Sequence, residues 1–243
     1  MIQLAKRFGR GAKRLMYRAF PQLRFANSSW SQEGEDVLLQ RIFADQQSGM
    51  YVDVGAHHPI RFSNTHWAYR RGWRGINIDP DPGAVRLLNL RRPGDTNVQC
   101  LVGAAESTVD FFTFTEGALN TSDPERRDLV TTQTGMVPSL VKMEMKCLKS
   151  VLDEHLPRKD LIIDFISIDV EGREMDVIAG NDWTRYRPRI VVVELAGTTL
   201  ETVNQHPVSQ VLMKEGYTPV SLLYHSVFFI GDEELLRSWK AHS

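Results

Sequence analysis

The chain has only two cysteines, Cys100 and Cys147, in 243 residues. That is too few for a disulfide framework, and neither sits in a CxxC pair or a Cys/His cluster that would mark structural zinc. Both read as reduced, buried thiols of a cytoplasmic protein. No run of about 20 apolar residues occurs, so no membrane-spanning helix is expected. No basic stretch leads into an apolar one, so no secretory signal is expected either. There is no GxGxxG, which disfavours a dinucleotide, and no HExxH or i,i+4 histidine pair, which disfavours a His-ligated transition metal. The length suits one large domain with a full hydrophobic core.

Charge is plentiful but uneven. Seven of the 29 basic residues (Lys6, Arg7, Arg10, Lys13, Arg14, Arg18 and Arg24) lie in residues 1–24, which hold no acid. The remaining 22 face all 30 acids, so the body carries a formal charge of −8. In the arm, Leu4, Phe8, Leu15, Met16, Ala19 and Phe20 approximate one helical face. A basic amphipathic helix of this kind suits an anionic membrane surface; packing on its own domain or on a partner is the plain alternative. Nucleic acid is not the expected partner, because the arm lacks interleaved aromatics and the body is acidic. The division is therefore a basic arm over 1–24 and one domain over 25–243.

The body alternates strands and helices. Strands are expected at 51–54, 75–79, 97–102, 165–169 and 189–195, with a further β-rich stretch at 108–114. Helices are expected at 63–71, from Pro82 to about Arg92, after Gly172, and at 207–215. Pro82 at a first turn and Gly180 and Gly216 as stops support these limits. The closing pair, 217–223 and 227–230, has too short a link for a parallel crossover and must be antiparallel. The pattern is that of an α/β fold with a mainly parallel sheet. Residues 116–140, rich in Thr, Ser, Asp, Gly and Pro, break it. A long irregular run in a compact domain is functional or mobile, so a substrate loop or lid is expected there, a solvated insertion being the plain alternative.

Ligands of open α/β sheets bind outside the carboxyl ends of the strands. Those ends carry Asp53, Gly55, Ala56, His57 and His58; Asp79; Asp169 and Glu171; and Glu194. Buried carboxylates need partners, so four acidic strand ends in succession point to a ligand. Asp79, ending the second strand, has the placement of an acid that accepts hydrogen bonds from ribose hydroxyls. The loop Gly55-Ala56-His57-His58-Pro59 offers no pyrophosphate cradle, which permits a nucleoside cofactor without phosphates, such as S-adenosylmethionine. Asp53 alone could be a structural cap.

The runs Ser31-Gln32-Glu33-Gly34-Glu35-Asp36, Tyr51-Val52-Asp53-Val54-Gly55-Ala56, Ser63-Asn64-Thr65, Gly72 to Asp79, Ile168-Asp169-Val170-Glu171-Gly172 and Val193-Glu194-Leu195 together resemble the FkbM family of methyltransferases over roughly residues 30–231. The resemblance implies a Rossmann-like class I methyltransferase fold: a seven-stranded, mainly parallel sheet with an antiparallel C-terminal strand. It implies S-adenosylmethionine as cofactor and O-methylation of a sugar hydroxyl in a polysaccharide, a lipid-linked glycan or a glycosylated natural product. It places Gln32, Asp53, Gly55, Ala56, His57, Asn64, Asp79 and Asp169 around the cofactor and Gly103-Ala104 beside the adenine. His57-His58-Pro59 departs from the glycine-rich loop of many methyltransferases.

Methyl transfer to a sugar hydroxyl requires a positioned acceptor and removal of its proton. Asp169, Glu171 and Glu194 are the candidate catalytic carboxylates. One could act as general base. Alternatively, Asp169 and Glu194 could hold Mg²⁺, which would lower the hydroxyl pKa. Glu171 could instead be a helix N-terminal acid, and Glu194 a partner of Arg189 or a histidine. His58 or His225 is a further candidate base. A lipid-linked acceptor would place the protein at the inner membrane face, where a basic arm would also sit. Nucleotide-sugar or NAD chemistry, nucleic-acid methylation and a non-catalytic scaffold are the competing classes. The missing glycine-rich loop, the missing Asn/Asp-Pro-Pro-aromatic tetrapeptide and the retained strand-end acids argue against them in turn.

Overall fold

A computed structural model describes residues 18–158 and 160–242. The basic arm up to Tyr17, with most of its expected helical face, lies outside the described residues. Seven strands form the main sheet, in the order β3 (Thr96–Gln99), β2 (Arg74–Asp79), β1 (Met50–Val54), β7 (Phe165–Ile168), β8 (Ile190–Glu194), β10 (Ser226–Ile230) and β9 (Thr218–Leu223). Neighbours from β3 to β8 pair in parallel, whereas β10 is antiparallel to both β8 and β9. This is the seven-stranded, mainly parallel sheet with an antiparallel C-terminal strand that the resemblance implies, and its order reverses beside β1.

Strand parity divides the core. Val52, Val54, Ile76, Ile78, Ile166, Ile168, Val191 and Val193 face one side. There they pack on helices α5 (Leu148–His155), α6 (Glu174–Ala179) and α7 (Pro207–Lys214) through Val151, Leu152, Val177, Ile178 and Leu212. Tyr51, Phe165, Ile190, Val192, Phe228 and Ile230 face the other. That side meets α1 (Glu35–Ile42) and α2 (His66–Arg70) through Leu39, Phe43 and Trp67. Both faces are covered, as a parallel sheet requires. Asp81 caps α3 (Pro82–Arg91) by accepting from the Gly83 amide at 2.8 Å, and Pro82 takes the first turn, where its missing N–H costs nothing.

Four expectations are corrected. Residues 97–102 are not one strand: the chain turns at Cys100, whose amide donates to the Asp79 carbonyl. β4 (Leu101–Gly103) then joins a separate three-stranded sheet, ordered β4-β6-β5, with β5 (Ser107–Thr113) and β6 (Ser139–Cys147). The segment 116–140 is not irregular. It carries helix α4 (Pro124–Thr134), capped by the Asp123 carboxylate on the Glu125 amide and ended by Gly135. Cys147 is half-buried rather than buried. Arg189 pairs with Asp164 at 3.1 Å and Asp232 at 3.0 Å, leaving Glu194 without it. Among the described residues, no helix is long and apolar enough to cross a membrane.

Candidate active site

The carboxyl ends of β1, β2 and β7 open onto a pocket lined by Gly55, Asp79, Leu101, Asp169 and Glu171. Gly55, at φ +84°, forms its floor. A Cβ there would lie 1.7 Å from the Asp169 carbonyl oxygen, so only glycine lets the β1 loop pass under the end of β7. Asp79 forms one wall. Its Oδ2 accepts from the His57 amide at 2.7 Å and its Oδ1 from the Asp81 amide at 2.8 Å. Each oxygen retains acceptor capacity. Burial pushes the Asp79 carboxyl up to about 6, against the pull of those two amides. The far wall is Cys100, Leu101 and Val102, with Phe111 behind.

Asp169 belongs to this pocket and to a wider acidic cleft beside it. Carboxylate oxygens of Asp169, Glu174 and Glu194 lie within 4.8 Å of one another. Glu174 and Glu194 are half-buried, whereas Asp169 is exposed at the mouth of the cleft. Burial, then the charge of Glu194, raises its carboxyl well above the ordinary carboxylate range. Glu171, at φ +55°, is ion-paired with Arg126 of α4; burial nonetheless carries it up to about 7. Glu174 accepts from the Val170 and Gly172 amides and is also raised by burial. Neighbouring negative charges cannot all form cheaply, which adds to the rise at Asp169.

The N-terminal run is built around Asp36. Fully buried, it accepts from Ser29 Oγ, Trp30 N and Ser31 Oγ. The resulting turn sets Gln32 over both the pocket and the cleft. Asn64 lines a small recess beside Asp169 and donates to Ser167 Oγ.

Of the residues singled out from the sequence, Gln32, Gly55, His57, Asp79, Asp169 and Glu171 line the pocket, Glu194 the cleft and Asn64 the recess. Four line none of these. Asp53 lies level with Asn77, two residues short of Asp79, buried under α2, where its Oδ2 accepts from Thr65 Oγ1 at 2.5 Å. Ala56 is buried behind the pocket, its amide spent on the Ile78 carbonyl. Gly103 is paired with Cys147 in the small sheet, and the Ala104 carbonyl accepts from Cys147 Sγ. The pocket wall lies earlier in the chain, at 100–102. Among the histidines, His58 Nδ1 accepts the Ile60 and Arg61 amides and so holds its own turn, whereas His225 lines the cleft.

Sequence reasoning missed Glu174, Phe62 and Arg126. Phe62, at φ +57°, lines the pocket, the cleft and the recess. Segment 116–140 roofs both cavities. Gly117, Asn120, Thr121 and Ser122 face the pocket; Leu119, Asp123, Arg126 and Leu129 face the cleft. Thr121 Oγ1 donates to the Glu171 carbonyl at 3.0 Å, tying that roof to β7.

Residues 53–218 match the family model described as the methyltransferase FkbM domain. No curated protein matches the sequence. Solved structures with a similar trace include a precorrin-6y C5,15-methyltransferase from Geobacter metallireducens, with TM-score 0.41 and 14% identity over 80% of this chain and 86% of that one. A TehB-like S-adenosylmethionine-dependent methyltransferase from Corynebacterium glutamicum has TM-score 0.41 and 11% identity over 90% and 97%. An O-methyltransferase from Bacillus cereus in complex with S-adenosylhomocysteine has TM-score 0.40 and 12% identity over 82% and 81%.

Proposed function

The chain belongs to the FkbM methyltransferase family, and from that membership we propose that it O-methylates a sugar hydroxyl, with S-adenosylmethionine in the Asp79 pocket and the acceptor in the acidic cleft. The observation that carries this reading is the shared wall. Asp169 and Glu171 line both cavities, so a donor in one would meet an acceptor in the other beside a carboxylate. The pocket fits the cofactor. Asp79 offers spare lone pairs to two vicinal hydroxyls.

S-adenosylmethionine supplies a methyl group on a sulfonium and departs as a neutral thioether. The protein must orient the hydroxyl in line and take its proton. Asp169 accepts that proton in this reading; burial, then the charge of Glu194 beside it, raises its basicity above that of an ordinary carboxylate. Glu171 and Arg126 hold the acceptor side of the wall. Phe62, Leu119 and Leu129 give the cleft an apolar face, and the carboxylates give hydrogen-bond acceptors, a combination suited to a glycoside.

A second reading rests on the same cluster. Asp169, Glu174 and Glu194 are hard oxygen donors close enough to hold Mg²⁺, which would lower the hydroxyl pKa.

Calorimetry with S-adenosylhomocysteine tests the pocket. The wild type is expected to bind it, and Asp79→Ala to bind it more weakly. A folded wild type that binds none refutes the assignment. Methyl transfer from labelled S-adenosylmethionine to a panel of glycosides then tests the acceptor class. Wild-type turnover with Glu194→Gln and Asp169→Asn inactive is expected; full activity in Asp169→Asn sinks the carboxylate-base reading.

A further inference from the structure

Arg92 ends α3 away from the cavities and is 1% exposed. Its guanidinium is fully engaged. Nε donates to the Pro59 carbonyl at 2.9 Å, and Nη2 to the same carbonyl and to Ser63 Oγ at 2.6 Å. Nη1 donates to Thr65 Oγ1 at 2.7 Å and to Asn77 Oδ1 at 3.3 Å. Thr65 Oγ1 in turn donates a hydrogen bond to Asp53 Oδ2. A single side chain thus grips residues 59, 63 and 65 from below.

The gripped loop forms a wall of the proposed cofactor pocket. His57 at φ +43° and Phe62 at φ +57° both line it. Left-handed backbone at two bulky residues is strained and persists only where the surroundings impose it. A buried cation with no carboxylate in direct contact is itself costly. Arg92 spends that cost on the carbonyl and hydroxyls that fix this loop. A lysine could not reach the same set, because only the planar fork presents donors in three directions at once.

We propose that Arg92 is a positioning residue for cofactor binding: with Thr65 and Asp53 it clamps residues 57–65 in the strained shape that sets His57 and Phe62 against the cofactor. Asp53, the acid of the Asp53-Val54-Gly55 run, acts on the cofactor only through this clamp. The inference rests on the assignment of the pocket to S-adenosylmethionine.

The test measures S-adenosylhomocysteine binding together with hydrogen exchange of the 57–65 peptide, using the full chain, Arg92→Lys, Thr65→Val, Asp53→Asn and the Thr65→Val/Asp53→Asn pair. Arg92→Lys and Thr65→Val are expected to weaken binding about 10- to 100-fold, the factor that one charge-assisted hydrogen bond is worth. The 57–65 amides should exchange faster while those of β7 and β8 keep their protection, which separates loop positioning from general destabilisation. Asp53→Asn should add little to Thr65→Val, because both act through one clamp. Should Arg92→Lys fail to fold, the milder Thr65→Val carries the test. Thr65→Val binding like wild type, or Asp53→Asn weakening binding with an unchanged 57–65 exchange pattern, overturns the clamp. A wild type that binds no S-adenosylhomocysteine instead overturns the pocket assignment, which the exchange data alone would not touch.

Discussion

Gly55→Ala probes the contact on which the site is built. Two costs are separable. The first is the backbone: alanine at φ +84° sits in the left-handed region, at about 1–2 kcal/mol. The second is the collision. The new methyl would be 1.7 Å from the Asp169 carbonyl oxygen, roughly half an ordinary carbon–oxygen contact, and a backbone carbonyl cannot rotate away as a side chain can. Overpacking of this kind costs about 1–3 kcal/mol more. Moving the end of β7 also strains the Asp169 amide's bond to the Val54 carbonyl at 3.0 Å. The total is about 2–5 kcal/mol, a large part of a domain's net stability of about 5–15. Gly72→Ala isolates the first cost, because Gly72 has φ +94° and nothing within 4 Å of its added Cβ. Urea unfolding of both variants yields the difference. Gly55→Ala is expected to be the less stable by at least about 1 kcal/mol and to lose S-adenosylhomocysteine binding while folded. Equal destabilisation of the two variants would refute the close-approach argument.

Other perturbations read the chemistry. Asp79 titrates near 6 and accepts hydroxyl protons best when ionised, so cofactor affinity should be flat above pH 6 and fall below it; in Asp79→Ala calorimetry across pH that dependence should vanish. Glu171 is raised to about 7 by burial while Arg126 pulls it down. In Arg126→Ala the acid limb of the rate profile should therefore move to higher pH, and an unchanged limb would remove Glu171 from the rate. Dialysis against EDTA should leave methyl transfer intact if a carboxylate is the base; loss restored by Mg²⁺ would favour the metal reading. Deleting residues 1–24 should abolish co-sedimentation with anionic vesicles, and equal binding of the two chains would sink the membrane proposal.

The main sheet is legible in the sequence because its strands are short apolar runs ended by Gly, Asp or Pro, and burial on both faces leaves such runs few alternatives. The small sheet is not, although Val141-Lys142-Met143-Glu144-Met145-Lys146 alternates strictly. Its β6 follows a polar stretch whose composition suggests a loop, and its partner β5 is a surface edge strand, mostly exposed or half-buried before Phe111. α4 carries its own signals in Asp123, Pro124 and Gly135. The polar composition around them masks those caps, and a helix with one buried residue, Val130, has little periodicity to show. The turn at Cys100 depends on the Asp79 carbonyl, a contact between distant positions that no local pattern encodes.

At the site, strand ends locate the acids but not their directions. Successive side chains of a strand point to opposite faces. Tyr51 and Asp53 therefore share the face covered by α2, while Val54 leads into the Gly55 floor. Asp79 and Asp169 share that parity but stand two residues farther along their strands than Asn77 and Ser167, the partners of Asp53, so depth along the strand, not parity, separates Asp53 from the pocket. Glu174 differs in kind: it reaches Asp169 and Glu194 because the turn at Glu171-Gly172, both at positive φ, folds the first residue of α6 back over the end of β7. Its carboxylate then bonds the Val170 and Gly172 amides of that turn. The acid and the turn that delivers it stabilise each other, so the cluster is a property of the folded loop, and any substitution that relaxes Glu171 or Gly172 should disperse the three carboxylates together.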